Sequence, residues 1–474
     1  MLARSLDSMT GAELFTAMFM VAEILALCSV PSVLLRRRGR PTAALAWLLA
    51  LFALPALGGF LWWAFGRTHL DRKRRRRVRM SLEFNRKKDG PAAPPSTVFD
   101  RVVPRRAVGT SIFPTGGNEV VLLIDGASAY PEMERAILEA RESINVLFYI
   151  WQNDSTGLRL RDMLVEKAKA GVDVRVMVDA FGSDKVDREF EAPLIEAGAK
   201  IAQFFPTPFD ALGAPRFNFR NHRKILVVDS KVAFTGGMNI GNEYAYDWRD
   251  LMVRLRGPAV ASLQYIFLDD WYFATGESVD DQPTQSSEAP VVGDTDMVVV
   301  ASGPDSEHWI HDAYFTSVSR AERRIWIATP YFIPTAALMT ALRTAAGRGV
   351  EVGLVVPEVT DVWLVKWAAR SYYKDLLDAG VQVYEYQGRM LHAKALLVDD
   401  DITSVGTANL DTRSFRLSFE VGCFFASRPL NEQLWQWFQE LKADSIPVSA
   451  RELERTPVTR KLLESMAHLL SPLL

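Results

Sequence analysis

A duplicated α/β fold, whose two halves share one active site behind an N-terminal membrane segment, is the architecture this sequence predicts. Three observations predict it. The first is a motif that occurs twice. His222-Arg223-Lys224, with Asp229 five residues past the lysine, returns 170 residues later as His392-Ala393-Lys394 with Asp399. The same offset takes Gly236 and Asn239 to Gly406 and Asn409, and the acidic Asp250 to Glu420. Self-similarity at one fixed spacing marks a duplicated unit. The repeated positions carry chemistry, so a site built symmetrically from both copies is expected. The second is an alternation of strand-length apolar runs with helical periodicity in both halves, the pattern of an α/β layer structure. The third is an uncharged run of 25 residues from Pro41 to Phe65, ahead of both copies.

The elements follow in chain order. Residues 1 to 66 form the membrane segment. About 20 apolar residues suffice to cross a bilayer as a helix, so Pro41 to Phe65 is the expected span. Trp62 and Trp63 near its end suit the membrane interface. The earlier run, Leu14 to Leu35, is interrupted by Glu23 and Pro31, and a carboxylate at mid-membrane is costly. A cleavable leader is not expected, because the first run is long and no small-residue cleavage site follows it.

Residues 67 to 116 read as a basic juxtamembrane linker. Between positions 36 and 88 there are 15 Lys and Arg against Asp71 and Glu83, a balance of +13. The whole chain carries −2, so the remainder carries −15. A basic block beside an apolar segment points to an anionic membrane surface rather than nucleic acid. Two full spans would put the basic loop at 36–40 and the block after Arg67 on opposite sides. The positive-inside rule wants both on the cytoplasmic side, and the larger block should prevail. A re-entrant or shallow first segment would satisfy both. The only cysteines, Cys28 and Cys423, offer no disulfide framework or thiolate metal site.

The first catalytic half, 117–275, reads as strand Val120–Leu123, helix Tyr130–Glu142, strand Ile144–Ile150, helix Leu158–Ala170 and strand Val172–Val178. Residues 276–296, rich in Ser, Gln, Pro and acids, read as a flexible connection. The second half, 297–474, repeats the order. Its strand Met297–Ala301 leads to a helix over Ile310–Ala321 and a strand over Ile325–Thr329. A helix ending at Ala346 and strand Val350–Val356 follow. The tail from Val458 has Leu462, Met466, Leu469, Leu470 and Leu473 near helical spacing. A helix with that stripe turned into the core is the favoured reading, and a surface-bound amphipathic helix is the alternative.

Both copies fit without a gap the signature of the phospholipase D superfamily, His-x-Lys, four residues, Asp, six residues, Gly-x-x-Asn. More of the chain resembles one branch, the bacterial cardiolipin synthases. The stretches Gly39-Arg40-Pro41 through Phe65-Gly66-Arg67, Phe219-Arg220-Asn221-His222-Arg223-Lys224 and Ser302-Gly303-Pro304-Asp305 carry the likeness. So do Thr329-Pro330-Tyr331-Phe332, Met390-Leu391-His392-Ala393-Lys394 and Gly406-Thr407-Ala408-Asn409-Leu410-Asp411 running on to Arg413-Ser414-Phe415. The resemblance covers nearly the whole chain. It implies a pseudo-twofold phospholipase D fold and transfer of a phosphatidyl group from one phosphatidylglycerol to another, giving cardiolipin and glycerol. It also implies a place in the bacterial inner membrane with the catalytic part cytoplasmic, and no cofactor. A hydrolase of the same type, or a transferase to another alcohol, is the alternative. Anionic membrane lipids are the expected partners, not nucleic acid, and a homo-oligomer is left open.

The chemistry follows from the residue types. Side chains alternate along a strand, so His222 and Lys224 share a face, as do His392 and Lys394. One imidazole can attack phosphorus while the other protonates the leaving alkoxide and later deprotonates the incoming hydroxyl. Lys224, Lys394, Asn239 and Asn409 can hold the phosphate oxygens as charge grows, and two ammoniums supply what a metal otherwise would. Asp250 and Glu420 are placed to orient an imidazole. The resemblance counts Asp229 and Asp399 in the catalytic set, although both fall on the opposite parity and read as structural, paired with backbone or a basic group. It also favours His222 as nucleophile. His308 and His311, three apart on a helix, read as packing residues rather than metal ligands. The aromatic group Trp363, Trp367, Tyr372 and Tyr373 reads as core, with a wall of an acyl-chain cleft as the alternative. Phe204, Phe205, Phe209, Phe217 and Phe219 stand as candidates for the site entrance.

Overall fold

The computed structural model describes residues 11–37, 41–66, 102, 112–204, 220–279, 282, 290–304, 308–469 and 471. The basic block, most of the linker, and Phe205 to Phe219 lie outside these residues, as do Leu470 and Leu473. The chain divides into two units, the first holding the N-terminal segment and the second both halves of the duplicated fold.

In the first unit the two apolar runs exchange the roles expected of them. The run with Glu23 and Pro31 forms an unbroken helix, Gly11–Arg36, long and apolar enough to cross a membrane over Phe19–Arg36. The uncharged second run breaks into helices Pro41–Ala53 and Pro55–Leu61, ending in a π-turn at Trp62–Gly66. Pro55 explains the break: proline lacks the amide hydrogen and pushes the preceding residue out of helical geometry. Leu54 accordingly has φ −139° and ψ 72°. The two pieces fold back on each other. Trp47 meets Trp62 edge to face at 5.3 Å, and a Cβ on Gly58 would lie 2.2 Å from the Ala50 carbonyl. The Arg37 guanidinium donates to the Gly66 carbonyl at 3.3 Å. The second run is therefore a helical hairpin rather than one continuous helix of membrane-spanning length.

Among the described residues the second unit is built on one sheet of 16 strands. In the first half these are β1 (Ile112–Ile124), β2 (Ser143–Phe148), β3 (Asp173–Asp179), β4 (Lys200–Phe204), β5 (Arg220–Asn221), β6 (Ile225–Val228), β7 (Val232–Gly236) and β8 (Leu251–Arg256). The second half gives β9 (Thr295–Ser302), β10 (Arg324–Ala328), the short β11 (Phe332–Ile333), β12 (Glu351–Pro357), β13 (Gln382–Tyr386), β14 (Ala395–Val398), β15 (Ile402–Gly406), β16 (Leu410–Asp411), β17 (Ser418–Ala426) and β18 (Ser445–Pro447). The order across the sheet is β18-β13-β12-β10-β14-β15-β17-β9-β1-β8-β7-β6-β2-β3-β4, with β5 on β17, while β11 and β16 pair separately. Apart from β18, the order mirrors about the antiparallel β1–β9 pair, which marks the pseudo-twofold axis.

β1 begins at Ile112, eight residues ahead of the expected strand, because its first part pairs with β9 of the other half and its second with β8 of its own. A register shift between Thr115 and Asn118 marks the handover. Buried Asn118 fixes it: its amide donates to Thr115 Oγ1 and the Thr295 carbonyl, both at 3.1 Å, and its Oδ1 accepts from the Ala259 amide at 2.8 Å. Helices Ala259–Thr275 and Arg428–Ala443 cover one face over a core drawn from both halves. The remaining long helices cover the other face over two separate cores, one per half.

The terminal helix, Val458–Leu469, reverses the favoured reading. Val458, Leu462, Met466 and Leu469 are exposed, while Glu464 and Ala467 are the buried positions. The physical reason is Arg370, buried on the neighbouring helix Trp363–Asp378, which holds Glu464 at 3.3 Å and so turns the polar side inward. In the aromatic group of that neighbouring helix, Tyr373 is core but Trp363 is exposed.

Candidate active site

Each histidine segment leaves its own half to pair with the other. β5 runs parallel to β17, with Asn221 opposite Phe419, and the His222 amide continues the ladder by donating to the Phe419 carbonyl at 2.9 Å. Glu420 is the next residue. The mirror image holds: Leu391 bridges to Arg249, and the His392 amide donates to the Arg249 carbonyl at 2.8 Å, beside Asp250. The carboxylates are thus exchanged between halves. His222 Nδ1 lies 3.1 Å from both Glu420 oxygens, and His392 Nδ1 lies 2.7 Å from Asp250 Oδ2.

The same pairing corrects the expected strand geometry. Residues 222–224 and 392–394 are irregular links that end before β6 and β14 begin. Lysine and histidine are nevertheless held together by hydrogen bonds. Lys224 Nζ donates to the His222 carbonyl at 2.8 Å, and Lys394 Nζ donates to the His392 carbonyl and sits 2.9 Å from each of its ring nitrogens.

Asn239 and Asn409 are buried. Asn239 Oδ1 accepts from the Ile150 amide at 3.1 Å, and its side chain bonds Tyr244, whose ring meets His392 at 5.7 Å. Asn409 Oδ1 has no hydrogen-bond partner among the described residues. Asp229 and Asp399 are not brought to the site. Each closes the turn at the far end of β6 or β14, with φ 51°. Asp229 accepts from the amides of Arg141, Glu142 and Ser143, and Asp399 from those of Glu322, Arg323 and Arg324. His311 bridges Asp312 and Thr335, in keeping with a packing role.

Burial sets the electrostatics. Loss of solvent pushes both imidazoles down to about 4; for His392 the adjacent Lys394 adds most to this, and for His222 Lys224 opposes the pull of Glu420. Both rings are neutral near pH 7. Lys224 is held well below its ordinary value and Lys394 is pushed down to about 8, again chiefly by burial. Burial raises the Glu420 carboxyl, but His222, Lys224 and a hydrogen bond from Thr407 outweigh it and keep it ionised. An imidazole whose Nδ1–H points at a carboxylate presents its Nε2 lone pair outward. His222 Nε2 carries no hydrogen bond among the described residues, whereas His392 Nε2 is next to Lys394.

Several contributors carry no motif signal. Tyr149 packs on His222 at 4.9 Å with Lys224 over its ring at 5.3 Å, and Trp248 lies 4.9 Å from His392. Arg223, the middle residue of the first motif, pairs with buried Asp270 at 2.6 Å and donates to the Glu420 and Ser302 carbonyls. Its counterpart is Ala393, so this clamp exists in one half only. Thr407 donates to Glu420, while the matching Gly237 has no room for a side chain: a Cβ there would lie 2.1 Å from Asp250 Oδ1. Comparing the two copies position by position would have flagged both differences.

The phospholipase D-like domain of cardiolipin synthases matches residues 133–271 and 314–442, and the phospholipase D-nuclease N-terminal family matches residues 24–67. The major cardiolipin synthase ClsA of Bacillus subtilis is 37% identical over 93% of this chain and 96% of its own length. A cardiolipin synthase of Geobacillus thermodenitrificans is 35% identical over 96% of this chain and 94% of its own. Among solved structures, a phosphatidylserine synthase of Haemophilus influenzae superposes with a TM-score of 0.60 at 15% identity, over 77% of this chain and 97% of that one, a likeness of fold. With two matched domains, a matched N-terminal segment and relatives aligned almost end to end, the chain belongs to the cardiolipin synthase family of phospholipase D-like proteins.

Proposed function

We propose that this chain makes cardiolipin from two molecules of phosphatidylglycerol. The observation that carries the reading is the exchange of carboxylates, which places two imidazoles and two lysines in one buried site with both rings neutral. A phosphodiester anion entering between Lys224 and Lys394 offsets the positive charge that helps hold His392 unprotonated, so substrate binding favours the general acid. His222 Nε2 then attacks phosphorus: the P–N bond forms, the P–O bond to glycerol breaks, and His392 gives its proton to the departing oxygen. The terminal hydroxyl of a second phosphatidylglycerol loses its proton to His392 and attacks in turn, breaking the P–N bond. The number of phosphodiesters is unchanged, so no nucleotide is consumed. Arg223, Asp270 and Thr407 hold Glu420, and through it the attacking ring.

The N-terminal helix associates the chain with a membrane. Arg37, in the first basic stretch, bonds to Gly66, the residue that precedes the second in sequence. The positive-inside rule assigns both stretches, and the catalytic part that follows them, to the cytoplasm. The test is mass spectrometry of products from the purified full chain given phosphatidylglycerol alone. Cardiolipin and free glycerol in equal amounts support the reading; phosphatidic acid in place of cardiolipin makes the enzyme a hydrolase.

A further inference from the structure

The terminal helix presents a large apolar face to solvent and packs through its polar one. Val458, Leu462, Met466 and Leu469 are 72, 59, 62 and 77% exposed. Their spacing places them in one stripe along the helix. The opposite side is fastened: Glu464 joins Arg370 and Arg460, His468 Nδ1 meets Ser371 Oγ at 3.0 Å, and Ala467 enters a small core with Ile333, Val365 and Ala368. The helix is therefore held with its stripe outward.

Two further features lie on the same part of the unit. The small core that receives Ala467 is flanked by Tyr331, whose hydroxyl donates to Asp361 at 2.7 Å, and Asp361 is near enough to the site to favour the charged form of Lys394. Trp363, two residues on, is 62% exposed and braced edge to face on Trp367 at 4.8 Å, with exposed Val359 before it. Around the helix, Arg451, Arg455, Arg460 and Lys461 are exposed. An apolar stripe, an exposed tryptophan and flanking cations match the interface of an anionic bilayer.

We propose that Val458, Leu462, Met466 and Leu469, with Trp363, dock the catalytic unit on an anionic bilayer beside the mouth of the active site. The occupant follows from the reading that the substrate is a bilayer phospholipid, whose reacting phosphodiester lies at headgroup depth. Docking there lets a lipid reach the buried histidines without leaving the membrane with its acyl chains exposed.

The test uses the full chain in vesicles of phosphatidylcholine with or without phosphatidylglycerol. A fluorophore is placed by Met466→Cys, or as a control by Glu139→Cys near the Asp229 turn, each in a Cys28→Ser background. Quenchers on lipid acyl chains should dim the label at 466 and spare that at 139, more so with phosphatidylglycerol. Equal quenching at the two positions overturns the proposal. So does shielding of the 466 label in detergent that grows with protein concentration, which assigns the stripe to a second copy. In parallel, the triple variant L462Q/M466Q/L469Q should lower turnover of vesicle phosphatidylglycerol about tenfold through lost interfacial binding. Turnover of a short-chain, monomeric phosphatidylglycerol should be unchanged. An equal fall on both substrates makes the helix part of the site's framework and overturns the docking role. Absence of cardiolipin from the unmodified enzyme on either substrate refutes the synthase reading instead, and the quenching result then decides docking alone.

Discussion

Replacing Asp229 should damage the fold and spare the chemistry. The carboxylate accepts from the Arg141 amide at 2.9 Å, the Glu142 amide at 2.7 Å and the Ser143 amide at 2.9 Å, at the mouth of a half-exposed turn. Hydrogen bonds to a charged acceptor contribute about 1.5–3 kcal/mol each when buried; partial exposure reduces this to ~1 kcal/mol each, or ~3 kcal/mol for the three. Alanine also has to take φ 51°, which costs a non-glycine residue about 1 kcal/mol more. The expected order of destabilisation is therefore Asp229→Asn, then Asp229→Gly, then Asp229→Ala at ~4 kcal/mol. For a half of this size the last corresponds to a fall of ~10 °C in the unfolding midpoint. The assay is thermal unfolding of the detergent-solubilised full chain, with turnover measured well below the midpoint and normalised to folded protein. Asp399→Ala should behave alike, since its carboxylate makes the same three bonds in the second half. A drop of about a thousandfold in turnover with an unchanged midpoint is the signature of lost transition-state stabilisation, and would return the aspartates to the catalytic set.

The remaining predictions concern the site directly. His222→Ala and His392→Ala should each abolish phosphatidyl transfer while leaving the unfolding midpoint near that of the parent; either variant with near-normal output defeats the shared-site mechanism. In the free enzyme both imidazoles titrate at about 4 and Lys394 at about 8, and the first step needs His222 neutral but His392 and Lys394 protonated, so kcat/KM should fall as pH drops below about 4, decline as pH rises above it, and decline more steeply beyond about 8. The same shifts bear on stability. With the folded imidazoles below their ordinary 6.5, the unfolded chain binds the extra protons between about 4 and 6.5, so stability is full above that window and declines as pH falls through it. Turnover should survive EDTA, because Lys224 and Lys394 supply the charge facing the phosphate; complete loss restored by one specific metal ion contradicts this. An adduct trapped without acceptor and kept alkaline should map to His222; peptide mapping to His392 alone reverses the two roles.

What the sequence made legible is what the duplication wrote into it. His222, Lys224, Asp250 and their partners 170 residues on could be paired by arithmetic, and five of the six strands expected from apolar runs lie within two residues of β2, β3, β9, β10 and β12. The exchange of carboxylates was not legible, because it depends on β5 joining β17, a pairing between segments 198 residues apart that leaves no local periodicity. The early start of β1 was hidden for the same reason. The break in the second apolar run was readable in Pro55, yet charge content outweighed it in the expectation of a span. The terminal helix shows the limit of amphipathicity: spacing identified the stripe of Leu462, Met466 and Leu469, but its direction depends on Arg370 drawing Glu464 inward, a long-range ion pair.

The crossed pairing of His222 with Glu420 and His392 with Asp250 also bears on how such a protein can change. Neither half holds a complete acid–base couple, so a half set adrift by mutation or by cleavage of the connection between them would strand an imidazole in each. The arginine clamp on one side and Ala393 on the other show that the two halves of this one site are no longer alike.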